Sequence, residues 1–249
     1  MAESIRAAKK PNFLDALRAV RRLMKDNEDT AQVFTILEAM GQRAIRREWN
    51  RFEKAPIADK ILAEPHLIEM LCDRPYLQAL PEGSLGRTYF DFTQVENITP
   101  DGLVQASEDG LSHVRKFTPE QEKFHLRQRD AHDLWHVVTG YGRDQLGELC
   151  LLGVTYKMID NPGFLLIILF GLMQNRKMNP QVSIMSALRE AFRNGGRMAW
   201  LPEIDWRDAM ARPLEDLRAE WNVLPPHTYH ATRDRLSALD SSYLKQAAE

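Results

Sequence analysis

The chain has 249 residues, 44% of them hydrophobic and 27% charged, the balance of an ordinary globular protein. A formal net charge of −2 gives no global electrostatic case for nucleic acid as a partner. The two cysteines, Cys72 and Cys150, stand far apart in apolar surroundings, which argues against a disulfide framework and a cysteine zinc site and fits a reducing compartment.

The segment "SIRAAKKPNFLDALRAVRRLMKD" predicts a basic amphipathic helix over about residues 5–25. A transit peptide has a similar composition, but Glu3 and Asp15 count against that reading, and the segment is taken as part of the mature protein. In "DTAQVFTILEAMGQ", Val33, Phe34, Leu37 and Met40 share one helical face. "ADKILAEPHLIEMLCDRP" reads as two short helices divided at Pro65, and "LPEGSLGRTYFDF" as a turn around Gly83 followed by a helix. A helix beginning at "FTPEQEKF" has Thr118 as its cap, Pro119 in its first position and Gln121 completing a capping box. It is expected to run to about Thr139, where "GYG" (140–142) stops it. Asp144 then caps a second helix, "QLGELCLLGVTYKM". The apolar run "GFLLIILFGLM" (163–173) falls short of the ~18–20 residues that span a bilayer and reads as a buried or interfacial helix. Strand signals are scarce, and no repeat or low-complexity segment interrupts the chain. The fold class is therefore all-α: one mostly helical domain over 1–249, with an antiparallel helix hairpin at its centre.

That hairpin carries the residues of chemical interest. On its first helix His125, Arg129, His132 and His136 form one stripe, with Asp133 at its edge. His132 and His136, one turn apart, can reach a single ion. Glu148 stands alone among Leu146, Leu149, Cys150, Leu151 and Leu152. In a continuous helix it would lie ~18 Å beyond His136; the "TGYGRD" break lets the hairpin fold it back. Coordination to a metal is one of the few arrangements that offsets the burial of a lone carboxylate, the others being a salt bridge to Arg143 or Arg129 or a narrow exposed edge. Two imidazoles with one or two carboxylates suit Zn²⁺, Fe²⁺, Co²⁺ or Mn²⁺.

His132-Asp133-x-x-His136 followed after eleven residues by Glu148 resembles the H-D-x-x-H-x11-E motif of the coenzyme Q (ubiquinone) biosynthesis protein 4 family. The resemblance extends through "ILAEPHLIEML" and "LPEGSLGRTYFDF" upstream and "GGRMAWLPEIDW" downstream, covering a core of about 60–222. It implies an all-α protein with a divalent metal on His132, Asp133, His136 and Glu148, residues that would then serve catalysis, and a prenyl-lipid tail in an apolar cleft. The implied activity is metal-dependent oxidative decarboxylation, in which the C1 carboxyl of a prenylated 4-hydroxybenzoate-type ring is replaced by hydroxyl. The alternative is a non-catalytic lipid-binding scaffold that organises a quinone-biosynthesis complex around a structural metal. His125 and Arg129 are candidates to bind the substrate's acid group through hydrogen bonds. The implied partners are a prenylated aromatic lipid, other quinone-biosynthesis proteins and a membrane surface bound peripherally. The corresponding place is the cytoplasmic face of a bacterial inner membrane or the mitochondrial matrix face, and a homodimer is compatible with the reading. Two departures bear on the lipid rather than the metal. Ala131 stands where Cys or a similar residue often precedes the first His, and the apolar segment after Glu148 differs from that of familiar members.

Overall fold

The computed structural model describes residues 13–23, 31–99 and 117–246. Fifteen α-helices and one 3-10 turn make up the described residues, with no strand among them. The first three are α1 (Phe13–Leu23), α2 (Ala31–Met40) and α3 (Gln42–Phe52). Four short helices follow: α4 (Ala58–Ala63), α5 (Leu67–Cys72), α6 (Arg74–Ala79) and α7 (Leu85–Val95). The central stretch is α8 (Pro119–Asp130), α9 (His132–Thr139), α10 (Gln145–Ile159) and α11 (Pro162–Met178). The chain closes with α12 (Met185–Gly195), α13 (Trp206–Ala209), α14 (Leu214–Glu220) and α15 (His227–Gln246). The predicted N-terminal helix is described from 13 to 23; the rest of its 5–25 range lies outside the described residues.

Local chemistry sets the helix ends. Thr118 accepts from the Gln121 amide while the Gln121 side chain accepts from the Thr118 amide, the predicted capping box. The chain does divide at Pro65, between α4 and α5, and Gly83, with φ +74°, forms the turn before α7. The α2 face is centred on buried Ile36, with Val33, Leu37 and Met40 packed beside it and Phe34 only half-buried. One expectation fails: the helix expected from Thr118 to Thr139 is interrupted at Ala131 (φ −78°, ψ −4°). The residue before the break, Asp130, is buried, and its carboxylate takes the neighbouring Arg129 at 2.7 Å. The helix restarts at His132, and the His125–His136 stripe is split between α8 and α9.

The largest core gathers α5, α6, α7, α9 and the stretch from Leu201 to Trp221 around Leu71, Tyr89, Leu134 and Trp206. A second packs α10 and α12 with Tyr141 and Tyr229, and a third joins α1 and α2 to Ile167 of α11. Helix α10 thus lies centrally, with α11, α12 and α15 against it. Buried carbonyls at helix ends are satisfied by long cationic side chains. Arg218 donates to Val137 and Val138 at 2.7 and 2.9 Å, closing the C-terminus of α9, and Lys123 donates to Leu62 and Glu64 at the end of α4. Glu190 plays the opposite part at α15, accepting from the amides of Thr228 and Tyr229 at its positive N-terminus.

Glu48 is one of the buried side chains that stand outside this pairing. It shares the inward face of α3 with Ala44 and Phe52, and its Oε1 is buried with no hydrogen-bond partner. Burial pushes its carboxyl from 4.5 up to about 8. Between those values the unfolded chain ionises this group and the folded chain does not, so stability falls as pH rises. In that window the slope from this residue is about 1.4 kcal/mol per pH unit; its stabilising contribution is fully present below the unfolded value and exhausted above the folded one. Urea unfolding at pH 5, 6 and 7 is expected to show the stability of Glu48→Gln gaining on the wild type by that increment at each step. A constant difference would mean that Glu48 is ionised in the fold.

Candidate metal centre

The hairpin closes as its sequence requires. Gly140 adopts φ +76°, the left-handed conformation that ends α9 with least strain when no Cβ is present. Four residues on, Asp144 accepts from the amides of Leu146 and Gly147 at 3.1 Å and starts α10. Gly147 lies directly against the backbone of Gly142, where any Cβ would overlap the Gly142 carbonyl. A third helix clamps the bend: Tyr229 of α15 donates its hydroxyl hydrogen to Asp144 and accepts from the Gly142 amide at 3.0 Å.

Within this frame both imidazoles have one nitrogen committed. His136 is fully buried, and its Nδ1 lies 2.9 Å from the Tyr141 carbonyl. A carbonyl can only accept, so Nδ1 carries a proton there, and Nε2 is the nitrogen left to face Glu148. His132 Nδ1 lies 3.1 Å from the Asp133 carboxylate, which orients that ring in the same way. The two Nε2 atoms face Glu148, at 3.9 Å for His132 and 3.5 Å for His136. These separations are long for hydrogen bonds. They are close to the ~3.4 Å edge between ligands of one tetrahedral ion held at about 2.1 Å. His136 Nε2 is a buried polar atom with no hydrogen-bond partner, as an ion-binding nitrogen is before it is loaded. The ligand atoms of His132, Asp133 and His136 all lie within 4.8 Å of one another. The residues therefore fit a divalent cation, with Glu148 approaching from the opposite helix.

Charge reinforces the arrangement. Burial would raise the Glu148 carboxyl, but its contact with His136 and the charges of His132 and Arg143 hold it below the usual range. Asp133 follows the same pattern: burial raises it, and His132, His136 and Arg143 lower it further than that. For His132, burial lowers the imidazole while Asp133 and Glu148 raise it, and the carboxylates prevail. Glu148 is thus neither a plain core carboxylate nor a plain surface one; its side chain is 37% exposed and is held from three sides.

The structure brings His132, Asp133, His136 and Glu148 together and gives the other two candidates different company. Arg129 forks onto Asp130 at 2.9 and 2.7 Å, and His125 lies against Phe117 and Phe124. The cation that bears on the cluster is Arg143, 3.7 Å from Glu148; the sequence offered it only as one of two bridging partners. Phe92 went unnoticed. It comes from α7, distant in sequence, and lies near-parallel to the His136 ring at 6.1 Å. Phe92, His136, Val137, Tyr141, Thr88 and Arg233 line an open cleft of about 200 Å³ beside the cluster.

An all-helical chain whose central hairpin gathers imidazoles and carboxylates defines a helical protein with a candidate metal centre. The sequence pattern of the family described as "Coenzyme Q (ubiquinone) biosynthesis protein Coq4" matches residues 9–227, and the chain belongs to that family. The match reaches further toward the N-terminus than the 60–222 resemblance. The mouse "Ubiquinone biosynthesis protein COQ4 homolog, mitochondrial" is 29% identical over 192 residues, covering 76% of this chain and 69% of the mouse protein. The Neurospora crassa "Ubiquinone biosynthesis protein coq-4, mitochondrial" is 27% identical over 184 residues, covering 72% of this chain and 50% of its own length. A crystal structure from Nostoc punctiforme, provisionally described as a ubiquinone biosynthesis protein, shares the fold at a TM-score of 0.62 and 18% identity, covering 85% of this chain and 98% of that one.

Two substitutions test the frame. Gly147→Ala forces the bend apart and is expected to cost about 1–3 kcal/mol in urea unfolding; an unchanged midpoint would show that α10 does not need the close approach. Tyr229→Phe removes the clamp with little change in volume. Zinc or cobalt titration followed by calorimetry is expected to weaken by about tenfold or more, whereas equal affinity would free the centre from α15.

Proposed function

We propose that the protein acts in ubiquinone biosynthesis as a metal-dependent enzyme that replaces the C1 carboxyl of a prenylated 4-hydroxybenzoate-type ring with hydroxyl. The observation that carries this reading is the pair of imidazoles with Nδ1 committed and Nε2 turned toward Glu148, beside an apolar cleft wide enough for an aromatic ring. His132, His136 and Glu148 would hold the ion, and Asp133 would either join them or fix the His132 ring. Zinc, iron, cobalt and manganese all suit such a donor set. When bound, the ion supplies a Lewis acid for the substrate carboxylate and for the charge left as CO₂ departs.

The chain's own side chains would do the rest. Phe92, Val137 and Tyr141 take the ring and exclude water, and Arg143 offsets the negative charge that gathers as an acid substrate approaches Glu148. Loss of CO₂ and gain of hydroxyl at one carbon removes two electrons from the ring, so the reaction needs a two-electron acceptor, for which dioxygen is the natural class. The mitochondrial relatives support a matrix-side placement for a eukaryotic member.

Cells lacking C1 hydroxylation are expected to recover quinone with this gene, and to lose at least about tenfold of that recovery with Glu148→Ala. Full recovery with Glu148→Ala would remove the ion from the mechanism. The second reading, a lipid-presenting scaffold, draws support from the cluster's position across two helices, where an ion would staple the hairpin. It predicts that Glu148→Ala lowers thermal stability and association with other quinone-biosynthesis proteins, and that purified protein with metal and substrate releases no CO₂. Release of CO₂ by the isolated protein decides for the enzyme.

A further inference from the structure

The second turn of α15 brings a cation to the cleft beside the His132–Glu148 cluster. Arg233 lines that cleft together with Thr88, Phe92, His136, Val137 and Tyr141. Among the described residues lining it there is no carboxylate, and Arg233 is the one guanidinium. Its base is held firmly. The Glu190 carboxylate accepts from the Thr228 and Tyr229 amides at the start of α15, and the Tyr229 hydroxyl clamps the hairpin bend. One turn on from Tyr229, the Arg233 guanidinium carbon lies 5.7 Å from the centroid of the Tyr229 ring, within cation–π range. The residue that fixes the bend thus also steers the cation. The end of the side chain is less committed: it meets Asp234 at 3.1 Å, and that carboxylate is 70% exposed. An exposed pair of neighbours contributes little, so the guanidinium can exchange it for an anion held in the cleft.

We propose that Arg233 sets the specificity of the cleft: it recognises the carboxylate of an aromatic acid and discriminates against the neutral ring that remains once the carboxyl is replaced. The inference rests on the proposed function and names the residue that selects the substrate. An apolar cleft alone disfavours the acid, since a carboxylate left in apolar surroundings without a partner is costly. A guanidinium reverses that preference, because its planar fork matches the two oxygens of a carboxylate. Arg143 is engaged differently: 3.7 Å from Glu148, it faces a carboxylate of the chain itself. The two oxygens of a substrate carboxylate allow a bound ion and Arg233 to share it. When hydroxyl replaces the carboxyl the negative charge is lost, and with it the contact that separates substrate from product. Arg233 lies past residue 227, where the family match ends, so the pattern that defines the family does not include it.

Calorimetry of the full chain with 3-prenyl-4-hydroxybenzoate and with its methyl ester, each in zinc and in a chelator, tests the assignment. The ester keeps the ring and the tail and lacks the charge. Arg233→Ala is expected to weaken the acid by about tenfold while the ester binds as before, with or without zinc. Arg233→Lys, which keeps the charge without the fork, is expected to restore part of the loss. Equal acid-to-ester ratios in the wild type and Arg233→Ala overturn the proposal. So does an equal loss for both ligands, which would make Arg233 a packing residue, or a wild type that binds neither. The reading of the metal centre fails separately: zinc would then leave the acid affinity of the wild type unchanged, while the ratio still falls in Arg233→Ala.

Discussion

The site depends on the bend between His136 and Glu148. Five residues of chain must reverse direction there, end one helix, start another, and leave two side chains aimed at one point. Gly140 permits the left-handed turn, the Tyr141 carbonyl takes the His136 Nδ1 proton, and Asp144 supplies the next cap. The bend is therefore also part of the site: the Tyr141 carbonyl, just past the helix stop, orients the imidazole five residues before it. Because Gly142 and Gly147 approach backbone to backbone, α10 starts close enough for Glu148 to face both histidines.

Around that bend the protein stabilises polar groups by pairing them rather than by leaving them wet. Arg218 closes the carbonyl end of α9, Glu190 closes the amide end of α15, and Tyr229 of α15 returns to hold the bend. Each of these is a hydrogen bond to a charged or buried partner, the kind that contributes most and costs most when one member is removed. Several buried polar atoms stand outside this scheme, among them the Tyr89 hydroxyl and the Trp135 and Trp206 indole nitrogens. His136 Nε2 differs from these in lying within reach of a carboxylate, Glu148, with the His132 ring beside it. Glu48 is a case of another kind: burial raises its carboxyl, which favours the protonated form.

The same hairpin relates the His132–Glu148 cluster to its surroundings. On one side, α7 brings Phe92 against His136 and opens the apolar cleft; on the other, α10 leans on α11 through Leu149 and Gly171. A prenylated aromatic acid has an apolar tail and an anionic head. Under the proposed function, those two halves would match the apolar cleft and the imidazole–carboxylate cluster with Arg143 beside it.

The sequence by itself determined the all-α class, the capping box at Thr118, the breaks at Pro65 and Gly140, and the four residues that the hairpin gathers. Each of these depends on chemistry within a few residues: a missing amide, a left-handed turn, a hydroxyl within reach of the third amide, a one-turn spacing of imidazoles. Only the tertiary structure revealed the break at Ala131, next to the buried Asp130. It also decided that Arg129 turns to Asp130 while Arg143 faces Glu148, that Phe92 walls the cleft, and that Tyr229 clamps the bend. Periodicity gives the direction of a side chain around its own helix. It carries no information on which distant helix waits there, because that depends on how several amphipathic faces share one core.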